Sequence, residues 1–379
     1  MSSAAAIPLS VLDLAPVVDG SDAPTAVRRA VKLARHGEQL GYRRFWLAEH
    51  HFVEVASSST TTLIGLVAAA TDTIRVGSAA VQSGLHTPVS IVEAFGTIDA
   101  LYPGRLDLGL GRSAQRRAEV TSGSRPTVTT PQPDQVVDGL LIPSPFPVEK
   151  LLGSPRVVAA YEASQFEGAQ PPDFDDAVGD VISLLDGQFR HGDVALTAVP
   201  GRGADVQVWI FGSSKGQSAQ TAGGRGLPFV ANYHVSPSTV LEAVEAYRSA
   251  FRPSAHLAEP YVIVSADVVV AEDDATARHR ASTYGHWVHS IRSGAGAAPY
   301  LDPDTAPPLD DEQRAIVDDR IRTQFVGSPD TVVDGLRTLA RVTEADELLV
   351  TSVTHDFDHR LQSHELLARA WGLEGASHD

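Results

Sequence analysis

The residues best suited to chemistry in this chain are Glu49, His50 and His51, which follow the short apolar run Phe45-Trp46-Leu47-Ala48. An imidazole near neutral pH can give or take a proton. The run reads as a buried strand ending in titratable groups, and strand ends are where parallel α/β proteins gather ligands. Successive strand side chains point to opposite faces, so only one of the two histidines is expected to face a given pocket. The competing reading is a capped strand with a core histidine. Gly212-Ser213-Ser214 follows a second apolar run, Val206 to Phe211. Small residues at a strand-to-helix turn let backbone N–H groups approach an anion, and the helix start adds partial positive charge. Ordinary helix capping by serine is the alternative, and Lys215 does not have Walker-loop spacing. Arg112 ends another apolar run; its guanidinium could pair with a phosphate, with a cofactor carbonyl, or with a surface carboxylate. Gly77-Ser78-Ala79-Ala80 places four small residues together, either for tight helix packing or to seat a flat ring. His355 and His359 are four apart and read as sharing a helix face. No third ligand accompanies them, Asp356 reads as the cap, and no metal site is expected.

Composition narrows the classes. The 379 residues are 43% hydrophobic and 20% charged, an ordinary globular balance. A net charge of −17 argues against nucleic acid as a partner. The absence of cysteine excludes disulfides, thiol nucleophiles and thiolate metal sites. Met1 to Ser10 has no basic segment followed by a long apolar one, and no run reaches membrane-spanning length, so a cytoplasmic protein is expected.

Elements that could position these residues alternate along the chain. Apolar strand-like runs occur at Ile7–Leu12, Phe45–Ala48, Ile74–Val81, Arg105–Gly111, Val206–Gly212, Phe229–Asn232, Tyr261–Ala271 and Glu347–Ser352. Helical spacing is read at Thr25–Leu40, Thr60–Thr71, Pro88–Tyr102, Phe174–Leu185, Pro237–Phe251 and His355–Trp371, with helical material and a proline-rich break over Asp273–Arg341. Eight strands alternating with helices predict a (β/α)8 TIM barrel, one domain over residues 1–379. A doubly wound sheet is the competitor. Its dinucleotide fingerprint is incomplete, because Ala114 stands where the third glycine after Gly109 and Gly111 belongs. Ser113 to Pro172, rich in Pro, Ser, Thr and Gly, interrupts the rhythm and is expected to be an insertion that covers the pocket as a lid.

The order of motifs resembles the bacterial luciferase-like flavin monooxygenases. The matching stretches are Phe45–His51, Val76–Val81, Pro103–Arg112, Trp209–Ser214, Gly226–Phe229, Val326–Pro329 and Asp346–Thr351. The resemblance implies a barrel that binds reduced FMN at the C-terminal ends of its strands, receives it from a separate flavin reductase, and uses O2 to oxygenate a small organic substrate. It also implies a homodimer. By the same resemblance His50 matches the active-site histidine. The Ala79–Ala80 bond matches a position where the family often has a non-proline cis peptide under the flavin. Arg112, Gly212, Ser213, Ser214 and Ser218 match the phosphate surroundings, and Glu49, Gln82 and His86 are assigned to the substrate pocket. Three departures cluster there. Gln82-Ser83-Gly84-Leu85-His86 replaces the usual Met-Leu-Pro-Asn-His, Ser113-Ala114-Gln115-Arg116 replaces Ala-Pro-Gly-Thr, and the turn at Lys215-Gly216-Gln217 is one residue longer. Gln82 and Ser83 imply a more polar pocket than a fatty-aldehyde site. Two alternatives stay open: a hydride-transfer enzyme of the same superfamily using coenzyme F420, and a non-catalytic flavin-binding partner subunit.

Overall fold

A computed structural model describes residues 7–112 and 133–375. Eight parallel strands close on themselves: β1 (Leu9–Asp13), β2 (Arg44–Leu47), β3 (Arg75–Ser78), β4 (Leu106–Gly111), β5 (Val206–Gly212), β6 (Phe229–Ala231), β7 (Val262–Val270) and β8 (Glu347–Thr351). Each pairs in parallel with its successor, and β8 returns to β1 with Leu348 opposite Leu9. The barrel predicted from the alternation is therefore present and the doubly wound sheet is not. The strands are buried on both faces, which is why they read as continuous apolar runs rather than alternating ones.

The outer helices are α1 (Ala23–Gln39), α2 (Thr60–Ala70), α3 (Pro88–Asp99), α4 (Phe174–Leu185), α5 (Gln217–Gly224), α6 (Val240–Ala250), α7 (Pro329–Thr343) and α8 (Phe357–Trp371). Capping sets several of their starts. Asp22, Thr87, Asp173, Ser328 and Asp356 each accept a backbone N–H with the side chain, satisfying donors that a helix start leaves open. Among the described residues, no helix is long and apolar enough to cross a membrane.

A buried ionic network closes the N-terminal end of the barrel. Arg44 Nη1 donates to Asp107 at 2.8 Å and its Nε to Glu347 at 3.1 Å. Trp46 Nε1 also donates to Asp107, and Tyr261 to Glu347, both at 2.9 Å. The Arg44 guanidinium lies 4.5 Å from the Trp209 ring centre, and Trp209 meets Trp46 edge-on. With the floor filled by these groups, open space is left at the C-terminal ends of the strands.

Four sequence expectations need correction. The third run is not one strand: β3 stops at Ser78, and after Ala79–Ala80 a separate pair, Val81–Gln82, bonds to β4. The stretch read as helical over Asp273–Arg341 contains a short strand, Phe325–Gly327, on the end of β7. Pro237–Thr239 is a 3-10 turn, so α6 begins at Val240. His355 precedes α8 and bonds to the Asp19 carbonyl at 3.0 Å, so His355 and His359 do not share a helical face.

Of the insertion after β4, residues 113–132 lie outside the described residues. The remainder forms an antiparallel hairpin (Gln135–Val137 with Leu140–Ile142) and two short helices, Glu149–Leu152 and Pro155–Ala163. Arg156 Nη2 donates to the Phe52 carbonyl at 2.8 Å, and Gln165 Nε2 to the Gly84 carbonyl at 2.6 Å. These bonds tie the segment to the loops after β2 and β3.

Candidate active site

A cavity of about 480 Å³ opens at the C-terminal ends of the strands, a size suited to a small-molecule or cofactor site. Ten of the predicted residues line it: Glu49, His50, Ala79, Ala80, Gln82, Arg112, Gly212, Ser213, Ser214 and, from α5, Ser218. Leu12, Leu14, Ala48, Phe211, Trp287 and Val353 supply apolar wall.

The two histidines lie beyond the end of β2; only His50 lines this cavity, although both line a neighbouring one. His50 turns into the cavity. The residue is exposed at the mouth of the barrel, and it makes no hydrogen bond among the described residues. The enclosing protein lowers its pKa below the ordinary histidine value, with Glu49 partly opposing the shift. Its neutral form therefore prevails at neutral pH.

His51 turns to the Glu49 carboxylate instead, at 2.8 Å. Glu49 Oε1 also meets His86 Nε2 at 2.9 Å, and Oε2 accepts the Gln82 backbone N–H at 3.1 Å. Burial pushes Glu49 up, but the hydrogen bonds from His51 and His86 outweigh it and hold the carboxyl at about 2. The bond to Glu49 raises His86 against its own burial. Gln82 Nε2 donates to the Glu49 carbonyl at 3.0 Å, so Glu49 fixes the loop that follows β3. His86 lines neither this cavity nor the neighbouring one. Its sequence assignment to the substrate pocket becomes a place behind the pocket wall, because the loop after Gln82 turns its ring onto Glu49.

One side of the cavity is flat, and beside it polar side chains gather at a helix start. The Ala79–Ala80 peptide is cis, and a Cβ on Gly111 of β4 would stand 3.4 Å from the Ala80 Cβ. Ala79, Ala80 and Gly111 thus make a wall without projecting side chains. Beyond it Gly216 begins α5 with no side-chain cap. A Cβ there would stand 3.3 Å from Ser214 Oγ and 3.8 Å from Arg112 Nη1. A guanidinium, a hydroxyl and a helix start therefore meet at one turn, a combination that suits phosphate.

The opposite wall holds residues the sequence reading missed: Asn232, His234, Asp267, Arg320 and Thr351. His234 bonds to Ser265 and is pushed down to about 3, first by burial and then by the Arg320 charge. Asp267 is the one carboxylate in the nine-residue buried strand β7, a visible signal. Arg320 comes from the helix Asp311–Arg322. No local pattern announces it, because its partner Asp267 is 53 residues away in sequence.

A second cavity, about 400 Å³, adjoins the first and shares Glu49, His50 and Gln82 with it. Its far side is Val148, Leu151, Leu152, Val157, Ala160 and Tyr161 from the insertion. His50 stands at the junction.

Comparison with known proteins agrees with this architecture. The luciferase-like monooxygenase family matches residues 7–136 and 177–345. The Bacillus subtilis protein YvbT is 35% identical over 373 residues, covering 96% of both chains. A luciferase-like monooxygenase of Escherichia coli K12 is 34% identical over 370 residues, 95% of this chain and 96% of its own. The crystal structure of apo-MsnO8 superposes with a TM-score of 0.77 at 30% identity, over 98% of this chain and 99% of its own. Two more distant structures share the fold. The FMN-bound oxygenating constituent of a Pseudomonas putida diketocamphane monooxygenase has a TM-score of 0.62 at 19% identity, over 96% and 98% of the two chains. An F420-dependent secondary alcohol dehydrogenase has 0.59 at 12%, with the same coverage. A closed parallel barrel, a cavity at its C-terminal rim and a family match along most of its length lead to one assignment: the chain belongs to the luciferase-like monooxygenase family.

Proposed function

We propose that the protein is a flavin-dependent monooxygenase that takes reduced FMN from a separate reductase and uses O2 to oxygenate a small organic substrate, working as a homodimer in the cytoplasm. The observation that carries this reading is the convergence of the phosphate-type turn, the flat wall and His50 on one cavity.

The residues fit the group. Arg112 and Ser214, with the start of α5, hold the phosphate, and Ser213 and Ser218 add hydroxyls beside it. Ala79, Ala80 and Gly111 take the ring. When bound, the reduced flavin supplies the activation of oxygen. The apolar lining from Leu12, Phe211, Trp287 and Val353 keeps bulk water out. His50 holds a neutral imidazole, and its ring nitrogen accepts or returns a proton at the reacting centre. The side of His50 that faces the second cavity takes the substrate's apolar portion beneath the insertion, which acts as the lid.

An anaerobic titration with reduced FMN, oxidised FMN and F420 in parallel tests the assignment. Saturable binding with reduced FMN preferred supports it. Preference for F420 replaces it with hydride transfer, and no binding by any of the three overturns the assignment and directs the search to a partner subunit.

A further inference from the structure

Across the barrel mouth from β3 stands β7, and the wall there holds a charge pair that the flavin assignment does not use. Asp267 is 6% exposed and Arg320 8%. Arg320 Nη2 lies 3.3 Å from Asp267 Oδ2 and donates to the Tyr284 hydroxyl at 2.6 Å. Tyr284 in turn donates to Asp267. These bonds engage one of the three guanidinium nitrogens. Nε is buried without a partner, and Nη1 makes no hydrogen bond among the described residues. On the neighbouring strand, Thr351 is in register with Asp267, and its Oγ1 is also buried without a partner. All three side chains, Asp267, Arg320 and Thr351, line the cavity.

A guanidinium has five N–H donors and no acceptor, and buried donors left unbonded are costly. Asp267 cannot answer them, because its contact is made at Nη2. Nη1, unlike Nε, is not closed off from the cavity, and no oxygen of the described residues accepts from it. A carboxylate offers two acceptor oxygens, which a guanidinium N–H and a neighbouring hydroxyl can share.

We infer that the substrate carries a carboxylate, which Arg320 and Thr351 hold at the β7–β8 wall. The carboxylate accepts from Arg320 and from the Thr351 hydroxyl, and the rest of the molecule extends across the mouth toward His50. This deepens the flavin assignment, and rests on it for the direction in which the substrate extends. The carboxylate site itself can be tested without flavin.

The test uses matched pairs of probes, benzoate with benzamide and hexanoate with hexanamide, titrated into the full-length protein at pH 7.5. Tryptophan emission reports binding, because Trp287 lines the cavity. The carboxylates should bind about tenfold or more tightly than their amides. Thr351→Val should reduce carboxylate affinity by about three- to tenfold with little effect on the amides. Arg320→Gln made together with Asp267→Asn removes both charges, so no buried carboxylate is left unpaired, and should abolish the discrimination. FMN is titrated into every variant as a separate readout, and its affinity should stay within about twofold of wild type. Equal binding of acid and amide, a preference that survives the double substitution, or no saturable carboxylate binding overturns the inference. Loss of FMN binding in the double variant with carboxylate binding intact reassigns Arg320 to the cofactor and also overturns it. Failure of the wild-type protein to bind FMN strikes the flavin assignment alone, since the carboxylate comparison is read without it.

Discussion

Glu49 and His86 form an ion pair 2.9 Å apart behind the wall of the cavity, while His50, next to Glu49 in sequence, takes no part in it. His51 and His86 together hold the carboxylate low in pKa, and the bond to Glu49 raises His86. Glu49 therefore acts as a fixed anion that holds His51, His86 and the Gln82 backbone, and His50 is left for the cavity. Glu49→Gln should lower stability by about 1–3 kcal/mol, the cost of weakening a buried charged acceptor. It should also drop the His86 pKa. Urea unfolding and an NMR titration of the histidines check both effects.

His50 gives a second expectation. Desolvation lowers its pKa, so the protonated form predominates only below the ordinary value of about 6.5. The acid limb of kcat/KM should lie under that value. His50→Ala should cut kcat by about 10²- to 10⁴-fold, the usual range for a general acid–base group, and leave FMN affinity within about twofold. Unchanged turnover would remove His50 from the reaction.

Arg112 is assigned to the phosphate, and riboflavin lacks that group. Arg112→Ala should weaken FMN by about 10- to 100-fold, matching the loss of a charge-assisted hydrogen bond. Riboflavin affinity should be unchanged. A parallel loss of both ligands would show that the substitution damages the ring seat instead.

His364 links stability to pH. It is fully buried on α8, contacts Tyr42, and is pushed down to about 3, chiefly by burial. Its folded pKa lies below the unfolded one. The stabilising effect of keeping it neutral is therefore complete above about pH 6.5 and is lost progressively as pH falls toward 3. Between pH 7 and 5 the loss is about 2 kcal/mol. Urea unfolding at the two pH values should show a smaller difference in His364→Gln than in wild type.

The barrel floor can be tested by removing one charge. Arg44→Met removes the cation closest to Glu347 and one of the two that pair with Asp107, where Arg75 remains at 2.7 Å, and both carboxylates are fully buried. A destabilisation of about 3–5 kcal/mol is expected, read as a lower urea midpoint with an unchanged slope.

The eight strands were legible because burial on both faces makes each an apolar run, bounded by glycine, proline or charge. The helix expected over Phe174–Leu185 has those limits in the structure, where Asp173 caps it. The break at Ala79–Ala80 was not legible as a change of strand, since Gly77 to Val81 has no polar residue to mark an end except Ser78. On the cavity side, local motifs pointed to His50, Arg112 and the serine turn because each ends a strand. Arg320, His234 and Thr351 escaped notice because what joins them is the closure of the barrel, and barrel closure leaves no local spacing. His86 was misplaced for a related reason: its neighbours in sequence identify the loop, while the direction of its ring is set by Glu49, on the end of another strand.

The account's central claim is where the flavin sits, and a structure determined with FMN bound tests it most directly. The account predicts the phosphate within hydrogen-bonding reach of Arg112 and Ser214 at the start of α5, the ring against Ala79–Ala80, and His50 beside the ring's open face. A flavin with its phosphate on Arg320, or one seated in the second cavity beneath the insertion, would contradict it.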